Sequence, residues 1–226
     1  MIAVVTGAGR GIGRAISIEL ARRGCDLALL GRNIETLAVT AEEVIARERS
    51  AVVVPCDVSS AKAIDAAAER VLADLGVPDF VIANAGVVHR VPVLSMTERQ
   101  WDEDIDVNLK GTFLATRAFL PRMLDLRRGR FIAIGSISST IGTAKQSAYC
   151  AAKWGVVGFV KALAEELRGT GLQAMCLMPG SVDTDMLRGS DFAPAMKPED
   201  VARAVAFLAL EAPDSMNASA VEMFGP

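Results

Sequence analysis

The stretch TGAGRGIG, residues 6–13, follows a short apolar run and precedes a helical pattern. Glycine tolerates positive φ and close backbone contact, so Gly7 favours a tight turn, and Gly11 and Gly13 favour close approach of backbone and helix. A helix that begins near Ile12 points free N–H groups and the positive end of its dipole at an anion. The order strand, glycine turn, helix predicts a βαβ unit that binds a dinucleotide. A glycine-rich turn without a ligand is the alternative.

Apolar, β-rich runs alternate with amphipathic helical patterns along the rest of the chain. The predicted strands are residues 2–6, 26–31, 51–55, 79–84, 130–136, 172–179 and 219–224. The predicted helices are residues 12–23, 34–48, 60–74, 97–126, 147–168 and 198–211. Each crossover helix must return over a face of the sheet, so continuous apolar strands indicate a parallel sheet covered on both faces. We predict an α/β fold with a doubly wound, parallel seven-stranded sheet, the Rossmann fold.

The 226 residues are expected to form one domain, residues 1–226, because no repeat, low-complexity tract or charged linker divides them. The one irregular stretch is a short loop at residues 180–198, after the sixth strand. Ligands of open α/β sheets lie beyond the carboxyl ends of the strands. This loop is therefore expected to cover a substrate site.

Composition excludes several classes of function. A net charge of −3 and a pI near 5.3 give no attraction to phosphate backbones, so nucleic acid is not an expected partner. The longest charge-free runs are too short to span a membrane, and no secretory signal is recognised. The four cysteines lack metal-site spacing and the single histidine, His89, has no ligand partners, so no metal is expected. Scattered free thiols suit a soluble cytoplasmic protein.

The end of the second predicted strand indicates which dinucleotide is bound. An acidic residue normally stands there, binds the ribose 2′-hydroxyl and excludes a 2′-phosphate. This chain instead reads LLGRN, residues 29–33, with Arg32 where the carboxylate is expected. A guanidinium pairs well with phosphate, and Arg10 in the glycine turn is a second candidate. The sequence therefore favours NADP(H) over NAD(H).

The stretch SAYCAAKWG, residues 147–155, places Tyr149 four positions before Lys153. On a helix, positions i and i+4 lie on one face about 5 to 6 Å apart at Cβ. A neighbouring ammonium lowers the pKa of a phenol, which makes the tyrosine a candidate general acid or base. An exposed tyrosine beside a solvated lysine is the structural alternative.

Further motifs occur in order along the chain: ANAG (83–86), Asn108 in DVNLKG, Ser136 in IGSISS, Tyr149 with Lys153, and PGSVDT (179–184). With the glycine turn, this set resembles the short-chain dehydrogenase/reductase family over residues 2 to about 211. The resemblance implies that Tyr149 is the general acid in carbonyl reduction and that Lys153 lowers its pKa and holds the nicotinamide ribose. Ser136 would hydrogen-bond the substrate oxygen, and Asn108 would hold a water in a proton relay.

The same resemblance implies the remaining cofactor contacts. They are Asp57 and Val58 at the adenine, Asn84, Ala85 and Gly86 in the cleft, and Pro179, Gly180, Val182 and Thr184 after the sixth strand, with Thr184 on the carboxamide. Structural alternatives remain open. Asp57 is a candidate turn cap, Asn84 a candidate partner for strand-end backbone, and Ser138 and Ser139 compete with Ser136.

The resemblance is good to 3-oxoacyl-[acyl-carrier-protein] reductases, which implies a carbonyl or alcohol substrate, with a 3-oxoacyl thioester as one candidate. Arg127 or Arg128 would then meet an acidic carrier protein. Reduction of small ketones or oxidation of 3-hydroxy acids is equally open, and a noncatalytic dinucleotide-binding sensor is the opposing class. Helices of this family pair between subunits, so a homodimer or homotetramer is expected.

Overall fold

The sheet contains all seven predicted strands in one parallel array. The computed structural model describes residues 1–226. The strands are β1 (Ile2–Thr6), β2 (Asp26–Gly31), β3 (Ala51–Pro55), β4 (Phe80–Ala83), β5 (Gly129–Ile134), β6 (Leu172–Pro179) and β7 (Ala220–Met223). Their order across the sheet is β3-β2-β1-β4-β5-β6-β7, with every neighbouring pair parallel. The predicted doubly wound Rossmann fold is confirmed.

Helices cover both faces of this sheet. They are α1 (Gly11–Arg22), α2 (Ile34–Ile45), α3 (Ala61–Asp74), α4 (Glu98–Ile105), α5 (Gly111–Leu126), α6 (Ser147–Glu166) and α7 (Pro198–Leu210). One apolar core joins the sheet to α1, α2 and α7, and a second joins it to α3, α5 and α6. On β1, Ala3 and Val5 enter the first core and Val4 enters the second. Burial on both faces explains the uninterrupted apolar strands.

The predicted helix 97–126 is two helices joined by one π-helical turn, residues Asp106–Lys110. Asn108 lies in this turn and its Nδ2 donates to the carbonyl oxygen of Asp104 at 2.8 Å. In an α-helix that carbonyl accepts from the backbone N–H of residue 108. The side chain takes this acceptor, so the backbone widens locally. π-turns of this kind recur at functional sites.

Two strands end earlier than predicted because their last polar residues bond elsewhere. The expected strand 79–84 stops at Ala83, since the Asn84 side chain turns back to bind Thr6. The expected strand 130–136 stops at Ile134, since Ser136 caps a short 3-10 turn. Both residues therefore lie just beyond the carboxyl edge of the sheet. This is the edge where ligands of α/β sheets bind.

The loop after β6 folds back onto the same edge. It contains a 3-10 turn at Asp185–Leu187 and an isolated parallel bridge between Val182 and Met196. The backbone N–H of Gly180 donates to Met223 O at 2.8 Å, which ties the start of the loop to β7. The loop is held at both ends and lies over the carboxyl edge. No helix of the chain is both long and apolar enough to cross a membrane.

Candidate active site

A cavity of about 520 Å³ runs along the carboxyl edge of the sheet. Ligand pockets of ordinary proteins have volumes of this order. Its wall includes every residue that the sequence predicted at the cofactor and three of the four predicted catalytic residues: Gly7, Arg10, Gly11, Ile12, Gly13, Arg32, Asp57, Val58, Asn84, Ala85, Gly86, Ser136, Tyr149, Lys153, Pro179, Gly180, Val182 and Thr184. Motifs scattered over the whole chain thus meet in one cavity.

The glycine turn is packed too tightly for any side chain. Gly7 has φ +67°, and a Cβ there would lie 2.9 Å from Ala85 Cα. A Cβ on Gly13 would lie 2.2 Å from the carbonyl oxygen of Gly7. Contacts this short exclude alanine without movement of the backbone. The two glycines let α1 begin directly against the end of β1.

The amino end of α1 is available to an anion. Arg10 precedes the helix and provides no side-chain cap, and the first turn contains no acidic residue. The first N–H groups of a helix lack partners within the helix, so they bind anions readily. A glycine cradle, uncapped N–H groups and a long cavity together fit the pyrophosphate and the two nucleosides of a dinucleotide.

Asn84 holds the glycine turn in place. Its Nδ2 donates to Thr6 O at 2.9 Å and to Gly7 O at 3.4 Å. Thr6 Oγ1 accepts from the backbone N–H groups of Asn84 and Ala85, both at 3.0 Å. The predicted alternative for Asn84, a partner for strand-end backbone, therefore describes its side chain, and the residue also lines the cavity. Arg14, which the sequence analysis missed, donates to Gly9 O at 3.1 Å and supports the turn from behind.

The far end of the cavity carries Arg32 and Asp57. Arg32 is exposed at the end of β2. Asp57 Oδ1 accepts from Ser59 N at 3.0 Å and from Ser59 Oγ at 2.7 Å, which is the capping role left open above. These hydrogen bonds with Ser59 lower the pKa of Asp57, and the charge of Arg32 lowers it further. Arg10 pairs instead with Asp185 of the loop, Nη1 to Oδ2 at 3.4 Å.

Tyr149 and Lys153 occupy the opposite end of the cavity. They lie on one face of α6 and are 9% and 4% exposed, so the alternative of a solvated surface pair is wrong. Lys153 Nζ donates to the carbonyl oxygen of Ile134 at 2.7 Å and lies 5.6 Å from the centre of the tyrosine ring. The end of β5 therefore fixes the lysine beneath the phenol.

Burial controls the protonation of this pair. It raises the pKa of Tyr149 to about 12, against a lowering effect of the Ser136 hydroxyl. It also lowers the pKa of Lys153 to about 8. The pKa of Tyr149 therefore lies above that of a free phenol, because loss of solvation outweighs the lowering effects of Ser136 and Arg90. At neutral pH the phenol keeps its proton, as an acid must.

The three candidate serines have different partners. Ser136 lines the cavity, and its hydroxyl lowers the pKa of Tyr149 through a hydrogen bond. Ser139 Oγ accepts from the backbone N–H of Ser136 at 3.3 Å, which commits it to the turn. Ser138 also lines the cavity, but its Oγ lies 3.2 Å from Thr143 Oγ1. Ser136 is therefore the best placed of the three to meet a substrate oxygen.

The expected proton-relay role of Asn108 stays a prediction, and the structure gives its side chain a positioning role. It is fully buried and does not line the cavity. Its Nδ2 donates to Val87 O at 2.9 Å and to Asp104 O at 2.8 Å, and its Oδ1 accepts from Val87 N at 3.3 Å. Both amide hydrogens are used, so the side chain cannot donate to a relay water. In this structure Asn108 positions the segment that follows β4.

Several cavity residues were missed because only tertiary contact reveals them. Arg90 lines the cavity and its Nη2 donates to Met186 O at 2.8 Å across the loop. Gln146 and Phe192 also lie in the wall. His89, which precedes Arg90, is held by buried Asp104, with Nδ1 3.0 Å from Oδ1. No sequence motif marks these contacts.

Arg127 and Arg128 lie away from the cavity. They directly precede β5, so they stand at the amino edge of the sheet, opposite the cavity. Arg127 Nη2 donates to Gly169 O at 2.9 Å, and Arg128 Nε lies 3.3 Å from Asp79 Oδ1. A carrier protein held by these arginines would lie at the edge opposite the cavity of the same chain, and the expected contact with an acidic carrier stays a prediction.

A sheet edge with an open helix N-terminus at one end and a buried phenol and ammonium at the other is the arrangement of Rossmann-fold oxidoreductases. The chain belongs to the short chain dehydrogenase family, whose model matches residues 1–193. It is an oxidoreductase of this family and resembles the 3-oxoacyl-[acyl-carrier-protein] reductases.

Two curated relatives show the extent of this similarity. The 3-oxoacyl-[acyl-carrier-protein] reductase of Synechocystis sp. is 34% identical over 220 residues, which cover 93% of this chain and 89% of the relative. The reductase of the same description from Escherichia coli is also 34% identical over 220 residues, which cover 92% of this chain and 89% of that relative. The match is therefore nearly complete in both chains.

Two solved structures of short-chain oxidoreductases have the same fold as this chain. A short-chain type dehydrogenase/reductase from Mycobacterium marinum aligns with TM-score 0.94 and 27% identity, over 99% of this chain and 94% of that one. A metagenomic short-chain oxidoreductase in complex with NADP aligns with TM-score 0.89 and 37% identity, over 100% and 97%. The fold is shared over essentially the whole chain.

Proposed function

We propose that the protein is an NADP(H)-dependent oxidoreductase that interconverts a carbonyl and an alcohol, with Tyr149 as the general acid or base. The main support for this proposal is that Ser136, Tyr149 and Lys153 line the same cavity as the glycine turn. A protein that only binds a dinucleotide has no chemical need for a buried phenol and a buried amine beside a serine. Turnover of the bound cofactor separates these two functions.

The cofactor would lie along the cavity from Arg32 to Tyr149. Bound there, NADP(H) supplies or accepts the hydride at the substrate carbon. The amino end of α1 would hold the pyrophosphate, and Asp57 and Val58 would meet the adenine. The structure related at 37% identity is described in complex with NADP, which supports NADP(H) for this chain. Arg32, at the position that usually carries an acid, supports the same choice.

The chain's own groups manage the proton. As negative charge develops on the substrate oxygen, the hydroxyls of Ser136 and Tyr149 would stabilise it, and Tyr149 would transfer its proton. The ammonium of Lys153 would stabilise the phenolate that remains. Its hydrogen bond to Ile134 O keeps it in position. In alcohol oxidation the same groups act in the reverse order.

Carbonyl reduction is expected to slow as the pH rises above about 8. Lys153 has a pKa of about 8 and carries its charge only below that value, while Tyr149, with a pKa of about 12, stays protonated. Loss of the ammonium removes the charge that stabilises the phenolate, so kcat should reach a plateau below about pH 8 and decline above it. Initial rates from about pH 6 to about pH 10 measure this, with circular dichroism to show that the fold persists. A rate of reduction that climbs through this range contradicts the assignment.

The substrate carbonyl has two candidate sources. The relatives' names support a 3-oxoacyl thioester on acyl carrier protein. Small ketones or 3-hydroxy acids are the alternative, and their apolar parts would meet Met186 and Phe192 in the cavity wall. Comparing rates on a 3-oxoacyl thioester and on free oxo compounds separates the two classes.

A homodimer or homotetramer also belongs to this proposal. Phe113 on α5 and Trp154 on α6 are 40% and 54% exposed. Phe113 packs edge-to-face on Phe159, with ring centres 6.1 Å apart. Exposed aromatic residues on adjacent helices are typical of interaction surfaces. A cytoplasmic location is proposed as well, since all four cysteines are free thiols.

A further inference from the structure

The cavity wall near Tyr149 contains a cation outside the catalytic set. The backbone N–H of Val91 donates to Lys145 O at 2.8 Å, which joins the segment after β4 to the segment before α6. Arg90 and Gln146, the neighbours of these two residues, both line the cavity. The charge of Arg90 is felt by the phenol of Tyr149. Arg90 and Gln146 therefore lie at the substrate end of the cavity.

Most of the hydrogen-bonding capacity of Arg90 is unused within the chain. A guanidinium has five N–H donors. Nη2 donates to Met186 O at 2.8 Å, and Nε is buried without any partner. A buried donor without an acceptor is destabilising, so such a group usually binds a water or a ligand. Arg90 is thus prepared to bind an acceptor.

Gln146 offers further hydrogen bonds beside it. The residue is 8% exposed and precedes α6, yet its side chain makes no capping hydrogen bond to that helix. Its amide has two donor hydrogens and one acceptor oxygen. A guanidinium and a free amide in one wall form a set of donors that suits a carboxylate.

Arg90 forms no ion pair within the chain, and its one hydrogen bond is to the carbonyl oxygen of Met186. The only carboxylates in the cavity wall are Asp57 and Asp185. Asp57 is bound to Ser59 at the far end, and Asp185 pairs with Arg10 and Arg188. The wall at the substrate end therefore has the cation of Arg90 and no carboxylate. Buried Asp104, behind the wall, is bound to His89. Charge complementarity favours an anionic substrate there.

We propose that Arg90 and Gln146 bind a carboxylate of the substrate, and that the enzyme acts on short oxo acids and the corresponding hydroxy acids. The proposal rests on the carbonyl–alcohol activity proposed above and names its substrate class. Arginine binds carboxylates through two parallel hydrogen bonds, which also orients the neighbouring carbonyl. A neutral ketone or a thioester leaves the guanidinium unpaired at the same place.

A purely structural role makes a different prediction. Through Met186 O, Arg90 also joins the segment after β4 to the loop over the cavity. If that contact is its whole function, loss of Arg90 impairs every substrate alike. If Arg90 binds a carboxylate, its loss impairs only substrates that carry one.

Matched acid and ester substrates separate the two roles. We would measure KM and kcat for 2-oxobutanoate and 3-oxobutanoate and for their ethyl esters, with NADPH and with NADH. Wild type should show a KM roughly 10- to 100-fold lower for at least one acid than for its ester, the range that a charged hydrogen-bonded contact provides. Arg90→Gln should raise KM for that acid by roughly the same factor and leave the ester nearly unchanged. Arg90→Lys keeps the charge, so its KM for the acid should lie between the values of wild type and Arg90→Gln.

Arg188→Gln is the matched control. Arg188 is exposed on the loop that contains Met186, pairs with Asp185 and does not line the cavity. Its substitution therefore tests how the loss of one positive charge near the cavity affects KM in general. Equal effects of Arg90→Gln on acid and ester, or a wild type that prefers the ester, would overturn the carboxylate site and leave the reductase intact. If Arg90→Gln does not fold, the wild-type preference between acid and ester still decides. No turnover of the four compounds while a 3-oxoacyl thioester is reduced would overturn the oxo-acid substrate class and leave the reductase intact. No turnover of the thioester either, with both cofactors, would count against the proposed activity itself.

Discussion

Tyr149→Phe is expected to lower the rate of carbonyl reduction by about 100- to 10,000-fold, the usual contribution of a positioned general acid. The change removes one hydroxyl from a side chain of α6 that is 9% exposed. Phenylalanine fills nearly the same space, so the fold and the binding of NADPH should persist. Single-turnover rates with saturating NADPH measure the effect, and fluorescence of bound NADPH measures cofactor affinity.

Ser147→Ala is a suitable control for this variant. It removes a hydroxyl two positions away on the same helix, where Ser147 Oγ donates to Met96 Sδ at 3.9 Å and the residue does not line the cavity. Its rate should stay within about twofold of wild type, as is usual for changes away from the reacting groups. A phenylalanine variant that keeps most of the wild-type rate would show that another group delivers the proton.

Arg32→Asp is expected to reverse the cofactor preference, changing the ratio of kcat/KM for NADPH to that for NADH by roughly 100- to 1000-fold. The substitution removes a cation that would pair with the 2′-phosphate and places there an acid that repels it. The same carboxylate would accept a hydrogen bond from the free 2′-hydroxyl of NADH. Steady-state kinetics with both cofactors and one carbonyl substrate measure the ratio.

Arg122→Asp makes the same change of charge on the exposed surface of α5, outside the cavity wall. It should leave the ratio nearly unchanged, because charges separated by more than a Debye length are screened at about 0.15 M salt. If Arg32→Asp retains the wild-type preference, the 2′-phosphate is recognised by another group, and Arg10 is the next residue to test.

Local sequence signals predicted most of the fold. The glycine turn, the apolar strands and the crossover helices each follow from short-range pattern, and β1, β2, β3 and β6 have the predicted bounds. The cavity wall also follows, because parallel strands bring their carboxyl ends together at one edge. Gly13 shows what the structure adds to such a local signal. The glycine motif alone predicts that Gly13 lies close to Gly7, and the structure shows that a Cβ on Gly13 would lie 2.2 Å from the carbonyl oxygen of Gly7.

What the sequence did not predict depends on long-range contacts. The π-turn arises because Asn108 competes for a helical carbonyl and also binds Val87, 21 residues away. The contact of Arg90 with Met186 spans 96 residues and has no motif. The pKa of Tyr149 is raised mainly by burial, which the local pair with Lys153 does not reveal. Partners and burial of this kind require the assembled chain.

Transfer of a labelled hydride tests the central claim most directly. Wild-type enzyme would be incubated with NADPH carrying deuterium at both C4 positions of the nicotinamide, together with the oxo acids and esters named above and, in a parallel sample, a 3-oxoacyl thioester. The alcohol product would be analysed by mass spectrometry. We expect a product with a single deuterium on the carbinol carbon, and almost none from Tyr149→Phe in the same time. Tight binding of NADPH without any labelled alcohol would contradict the account and favour a protein that only binds the dinucleotide.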